Sequence, residues 1–559
     1  MFRKILWLSL PICAWAQEGA SLPAPRDFNL PPRIGIAGER SLALQEVLAM
    51  ALANNRDVDI SRIDQQRAGY NVTSAEGVWD PRIGGVASYQ KAVAPVSSSL
   101  GGSTTGAVTN QNGIIDPQLT GNLPGLGSSY ALDLSSSRTT TNNSFATLNP
   151  QFPTALTFSY TQPLFRGLRY DDNRRRIAIA KKNTSLTDEQ FRQRVMEVVT
   201  RAEQAYWDLA YANANLAVQL EAVQIARDQD GSNRRQQAQG LLAAIDVVAA
   251  QRQMATFEQA AFTAQESLTT AENVLKTLIL SDRDDPLWSL AIVPTTPIDT
   301  APPIVPLADA INEALAARPE LAQLRISREI NKEDNRFFQE QTKPQVDAVF
   351  LHSNAGLAGT QLASAPNPFT SGLTTLNDRV SQLSALAGLQ PLPTTGGGTT
   401  GGVPPLLVGG YGTSLTNLFN SRFPTTQVQL RISLPLRNRT AEANLASNVA
   451  EARRIKDQQQ QAELAIEAGV RNGMQSVESA KARLASARVA RTSAEAQYES
   501  EQRQFRAGTS TLFLVQQRQT DMITARSQER RAEADLGKAV AAFELATART
   551  LKVHNIDLK

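Results

Sequence analysis

Cysteine occurs once in the 559-residue chain, at Cys13, and histidine twice, at His352 and His554. A chain this poor in thiols builds neither a disulfide framework nor a cysteine-ligated metal centre. The patterns H-E-x-x-H, C-x-x-C, the phosphate-binding Walker loop and the dinucleotide glycine loop are all missing, so the common metallopeptidase, thiol-redox and nucleotide-dependent chemistries have no seat. His352, in or near a loop, and His554, near the C-terminus, are expected to be solvated side chains without a metal. No catalytic constellation is present, and neither an enzyme activity nor a cofactor is expected. Aromatic residues are scarce at 6%, and no apolar run is long enough to cross a bilayer as a helix. A strong charge of one sign is lacking as well, because Lys and Arg exceed Asp and Glu by only three. That balance gives no basic surface for nucleic acid.

What remains is a long chain dominated over two large regions by Ala, Gln, Arg and Glu, the composition of long helices and coiled coils. Its length exceeds one ordinary globular core, so several domains or an elongated shape are expected. Residues 1–16, "MFRKILWLSLPICAWA", read as a cleaved export signal: Arg3 and Lys4, a short apolar stretch from Ile5 to Ala14, and the small-x-small site Ala14-Trp15-Ala16. Cleavage there removes Cys13, read as an apolar signal-peptide residue rather than a lipidated one, and lowers the formal charge from +3 to +1. A Pro-rich segment, 17–40, follows.

The rest is written twice. "LALQEVLAMALANNRDV" from Leu42 resembles "PLADAINEALAARPEL" from Pro306, and "TQPLFRG" from Thr161 resembles "SLPLRNR" from Ser433. Further on, Leu216 pairs with Leu484, Gly240 with Gly508, Val247 with Val515 and Leu268 with Leu536, all at one offset of 268 residues. Two repeats are therefore expected, 41–285 and 305–552, joined by a Pro-rich linker at 286–304 and ending in a tail, 553–559.

Each repeat opens with a helix, 42–76 with Ser41 as N-cap and 306–340 with a bend at Arg318-Pro319. Two short strands follow in each: "RIGGVASYQ" and "TALTFSYTQ", then "QVDAVFLH" and "TQVQLRISL", with period-two alternation of apolar and polar residues. The Gly/Ser/Thr/Asn-rich segments between them, 92–153 and 353–424, read as exposed loops, the second with a short helix at "LNDRVSQLSALAGL". Then comes a coiled-coil seam, at Phe191, Val195, Val198, Ala202, Ala205, Leu209, Ala212, Leu216, Val223 and Ala226, and again at Ile466, Val470, Val477, Ala480, Leu484, Ala487 and Ala494. About 70 helical residues before Gly240 would make a rod on the order of 100 Å. Gly240 and Gly508 become the turns of two helical hairpins. Asp171-Asp172 with Arg174, Arg175 and Arg176 reads as a solvated helix start.

Strands of about nine residues with one apolar face suit a transmembrane barrel, but four cannot close one. Open edges are not tolerated in lipid, so a dimer or trimer is the least that strand counting allows, the alternative being a small soluble sheet on a helical rod.

The "AL.NN" and "AL..RPEL" openings, the "QPL" and "LPL" strand ends and the turns "QGLLAAIDVVAAQRQ" and "RAGTSTLFLVQQRQ" occur in order in both halves. In these the chain resembles the TolC-like outer-membrane efflux proteins, from about Leu42 to Leu551. The resemblance implies a mainly α fold with a β-barrel part: long coiled-coil hairpins forming a periplasmic tunnel, and four strands per chain in a trimeric 12-stranded barrel. It implies a homotrimer in outer-membrane lipid, docked on a periplasmic adaptor (membrane fusion) protein and an inner-membrane transporter of RND or ABC type, and a passive export duct for efflux or type I secretion. It places adaptor docking at the tips, here Gly240, Leu241, Leu242, Ala243, Gly508, Thr509, Ser510 and Thr511. It places the aperture near Asp246, Phe513, Leu514 and Gln517. Leu514 and Gln517 stand where TolC carries acidic residues, and Ser510 where it carries an arginine, so an apolar constriction at Leu514 or Phe513 is the alternative to a charged lock. A coiled-coil structural or adhesive surface protein is the competing reading, and the duplicated strands count against it.

Overall fold

A computed structural model describes residues 28–97, 102, 106–299, 305–362, 368–390 and 403–558. The expected export signal, with Cys13, lies outside the described residues. In chain order the first half holds β1 (Gly38–Leu42), α1 (Leu44–Asn54), α2 (Arg56–Glu76), β2 (Arg82–Pro95), β3 (Ala107–Asn122), β4 (Ser129–Thr141) and β5 (Leu148–Pro163). It continues with α3 (Asp172–Ala238), α4 (Ala244–Ile279) and β6 (Leu290–Pro294). The second half holds α5 (Leu307–Ala317), α6 (Pro319–Gln341), β7 (Gln345–Gln361), α7 (Pro368–Leu386), α8 (Tyr411–Phe419) and β8 (Phe423–Ser433). It ends with α9 (Arg439–Arg506), α10 (Leu512–Ala546) and α11 (Thr550–Val553). The mainly α class with a sheet part is what the sequence led us to expect.

Several expectations need correcting, among them the exposed loop at 353–424, which holds the second half of β7 and all of α8. The opening helix of each repeat is two helices. Asn55 is extended, its Nδ2 donates to the Leu278 carbonyl, and its Oδ1 accepts the Asp57 amide, so one side chain ends α1 and starts α2. The second break falls at Arg318-Pro319 as expected, but it is complete rather than a bend. Ser41 is not the N-cap; it lies in β1, and Ala43 takes that place. The largest correction concerns 92–153: instead of an exposed loop, its polar Thr/Ser/Asn residues form most of β3 and β4. Each chain therefore brings six strands to the sheet, not four. Threonine and serine suit a strand whose polar face is wetted, and loop-like composition hid that alternation.

The chain divides into two compact units. One comprises residues up to 64, 189–322 and 460–559. Its core is the expected seam: Val195, Val198, Ala202, Leu209 and Val223 of α3 are buried, as are Val470, Ala480 and Leu484 of α9. Alanine at many seam positions lets the backbones approach closely. The linker is more than a spacer, because β6 pairs in parallel with β1, Gly38 opposite Leu290 through Leu42 opposite Pro294. Buried Tyr206 ties that pair off: its hydroxyl accepts the Thr295 and Thr296 amides at 3.0 and 2.9 Å and donates to the Leu42 carbonyl at 3.2 Å. Nearby, Glu272 is fully buried between Arg33 Nη2 and Lys276 Nζ, both at 2.6 Å, and Lys276 also donates to the Trp288 carbonyl. A buried carboxylate persists only when paired in this way.

The other unit comprises 65–188 and 323–459. Its six strands run antiparallel in the order β2-β3-β4-β5-β7-β8. The Asp171–Arg176 stretch is not simply solvated. Arg174 bonds Asp171 and the carbonyls of Gly167 and Leu168, and Arg175 reaches across to Asp334 on α6 at 2.6 Å.

Candidate functional site

The two predicted turns share one backbone geometry. Gly240 and Gly508 have φ of +73° and +77°, in the left-handed region that favours glycine. The Gly240 amide bonds the Gln237 carbonyl and the Leu241 amide bonds Gln236; Gly508 and Thr509 bond Phe505 and Gln504 in the same way. Every one of these atoms is displaced by 268 residues between copies, and both form the double-bonded helix C-cap that satisfies orphan carbonyls. Around the turns, Leu241, Ala243, Thr509 and Thr511 are exposed, while Leu242 and Ser510 are half-buried. Just inside, Val247 and Val515 are buried and Gln253 Nε2 bonds Thr520 Oγ1, locking α4 to α10.

Of the aperture candidates, Phe513 is 68% exposed and Leu514 41%. Gln517 donates to Asp521 Oδ1 at 3.0 Å, and Asp246 sits in the first turn of α4. Both tips expose apolar side chains, Leu241 and Ile245 on one and Phe513 and Leu514 on the other, the second among exposed Arg506, Thr509, Thr511 and Gln517.

The sheet carries opposite chemistry on its two faces. Along one row of paired residues Ile83, Leu119, Leu132 and Phe158 stand side by side before the row ends in His352 and Thr426; on the other face the row reads Gln118, Asp133, Thr157, Ser353 and Thr425. Ile83 and Val428 are exposed at 85% and 79% although apolar. Such exposure on strands of 11 to 17 residues fits contact with lipid. Helix α8 covers part of the sheet at β5 and β7, where Ser414 Oγ meets Thr154 Oγ at 2.9 Å. It sits so close that a Cβ at Gly356 would lie 2.2 Å from the Ser414 carbonyl. His352 is in β7 rather than a loop, with Nδ1 2.9 Å from Thr426 Oγ1.

The family model described as outer membrane efflux protein matches residues 118–279. No curated relative matches the chain in sequence. Among solved structures, the outer-membrane channel OprN superposes with a TM-score of 0.59 at 14% identity, over 94% of this chain and 98% of that one. CusC gives 0.60 at 13%, over 93% and 98%, and the outer membrane channel CmeC of Campylobacter jejuni 0.59 at 13%, over 96% and 98%. In fold, the chain is similar to these outer-membrane channels. Within that fold, β2 and β8 are the free edges of the sheet, and they run in opposite directions.

Sequence reasoning missed one group. His554, expected to be solvated, is largely enclosed, its side chain 12% exposed: its Nε2 lies 3.1 Å from Glu203 Oε2 and 3.8 Å from Glu544 Oε2. Glu203 is 351 residues away in sequence, beyond the reach of any spacing motif. Burial and the neighbouring Glu203 carboxylate push the Glu544 carboxyl up to about 7. Burial alone would lower the His554 imidazole, but its bond to Glu203 and the charges of Glu203 and Glu544 together outweigh this and raise it.

Proposed function

We propose that this chain is the outer-membrane channel of a tripartite efflux or type I secretion system, a passive duct through which a transporter elsewhere drives its substrate. The carrying observation is the unclosed six-stranded sheet. One face is apolar and exposed, and β2 is exposed along its whole length. An open edge in lipid leaves backbone donors and acceptors without partners, each at a cost of several kcal/mol. Copies of the chain satisfy them: because β2 and β8 are antiparallel, β8 of one copy continues into β2 of the next with no break in pattern. The homotrimer expected from the resemblance then closes with eighteen strands rather than twelve.

The hairpin tips are proposed as the docking surface for a periplasmic adaptor, through Gly240, Leu241, Leu242 and Ala243 and through Gly508, Thr509, Ser510 and Thr511. The aperture is assigned to Phe513 and Leu514, with Asp246 and Gln517 beside them. The exposed apolar side chains there support closure by apolar contact, a constriction that gates by excluding water.

The channel reading predicts recovery with the outer membrane as a heat-modifiable oligomer. Recovery only as a soluble periplasmic monomer would overturn it. The tip assignment is tested separately, by cross-linking from cysteine placed at Leu241 or Thr509. Capture of an adaptor is expected there, and capture from the sheet edge alone would refute the assignment. For the aperture, Leu514→Ser should raise single-channel conductance, and an unchanged conductance would exclude the apolar gate.

A further inference from the structure

Away from the tips and the sheet, three side chains from distant parts of the sequence meet in the helical unit. Glu203 comes from the middle of α3, Glu544 from the end of α10, and His554 from just beyond α11. One ligand atom from each, two carboxylate oxygens and the imidazole Nε2, lie within 4.8 Å of one another. Glu203 is buried, and Glu544 Oε2 is inaccessible and without a hydrogen-bond partner. A cavity of about 350 Å³, walled by Trp207, Val477, Val540 and Phe543, opens beside them.

The charges do not balance locally. Of the cations lining the cavity, Lys481 is paired with Glu478 at 3.2 Å, and Arg549, which also faces Glu544, is paired with Glu313 at 3.7 Å. Two largely buried carboxylates are left to share one histidine. A buried carboxylate oxygen with no donor is a costly feature, and a cation removes that cost. The geometry agrees. A zinc-class ion about 2.1 Å from each ligand sets tetrahedral neighbours roughly 3.4 Å apart, close to the 3.1 and 3.8 Å found about His554 Nε2. The Trp207 indole N–H faces Glu203 Oε1 at 3.4 Å, in the place of an outer partner that orients a ligand.

We propose that Glu203, Glu544 and His554 bind a divalent transition cation of the zinc class, with a fourth coordination position open to the cavity. Two oxygens and one imidazole nitrogen suit Zn²⁺ or Mn²⁺ better than a thiophilic ion. The ion would cross-link α3 to the segment beyond α10, adding to the core packing of Leu551 and Ile556.

The test uses the full-length oligomer in detergent, stripped with chelator, reloaded with ZnCl₂ and desalted before metal analysis. The expectation is about one zinc per chain, falling at least tenfold in both Glu544→Gln and His554→Ala. His352→Ala, at the other histidine, should keep the metal. Glu544→Gln preserves side-chain shape, and heat-modifiable migration reports whether each variant assembles. Visible absorption of the Co²⁺-loaded protein, lost in Glu544→Gln, would locate the ion independently. A wild-type protein that retains less than about a tenth of an equivalent, or assembled variants that retain as much as wild type, would overturn the site.

Discussion

The two helical hairpins are copies in backbone and strangers in side chain. At the tips the two glycine-turn C-cap hydrogen bonds repeat at the same offset, yet the first copy starts its return helix from Ala243, with no side-chain cap, and the second from Thr511, whose Oγ1 accepts the Leu514 amide. Ser510 adds a bond to Glu501 in the second copy only. The hinges at the other end follow the same rule. Asn54 and Asn55 donate to the carbonyls of Ile279 and Leu278, which close α4, whereas Arg318 Nη1 donates to the Leu545 carbonyl at the end of α10. The same orphan carbonyls need donors in both halves, and different residue types supply them. Backbone geometry is what the duplication preserves; surface and buried polar groups are free to diverge.

The deepest divergence lies at Lys276 and Glu544, which occupy corresponding positions. Lys276 is fully buried and fully paired. Replacing its partner, Glu272→Ala, leaves an uncompensated buried ammonium and should destabilise the fold by about 3–5 kcal/mol. The corresponding change in the other copy, Val540→Ala, removes only a half-buried apolar side chain and should cost about 1–2 kcal/mol. Denaturant midpoints of the two variants measure the contrast, and equal losses would erase it. Tyr206→Phe comes next: it orphans the amides of Thr295 and Thr296 and should cost about 2–3 kcal/mol, while the second repeat has no strand pair of this kind among its described residues.

The strand excess can be broken too. Deleting residues 107–141 removes β3 and β4 and leaves β2 and β5 antiparallel, the arrangement of four strands. Because barrel diameter grows roughly with strand number, the pore area of the shortened trimer should fall about twofold. Single-channel conductance in a variant with an opened aperture reports it. An unchanged conductance would place that hairpin outside the barrel wall.

Much of this was legible in the sequence, because the relevant signals are periodic. The seam from Phe191 to Ala226 and the alternation of Val428, Leu430 and Ile432 are packing rules written at fixed spacing. Gly240 and Gly508 stood out since few residues other than glycine adopt their φ readily. Strands β3 and β4 were hidden because Thr, Ser, Asn and Gly serve equally in loops and on wetted sheet faces. The helix break at Asn55 was hidden because its cause is a carbonyl 223 residues away. The cluster of Glu203, Glu544 and His554 left no local trace, since three separate segments bring one ligand each.

The smallest predicted effects bear most directly on the tips. Gly240→Ala and Gly508→Ala each force a side chain into the left-handed region, at a cost of about 1–2 kcal/mol. The cost should be the same in both, because nothing lies within 4 Å of either missing Cβ. The caps should not match. Thr511→Ala removes a helix-starting hydrogen bond and should lose about 1 kcal/mol, whereas Ala243→Thr supplies the absent cap and should gain up to about that amount. Native-state amide exchange at Asp246 and Leu514 reads both tips in one experiment. Equal protection changes at the glycines with opposite changes at the caps would mark backbone and side chain as separately inherited; matched cap effects would show the second tip's hydroxyl to be idle.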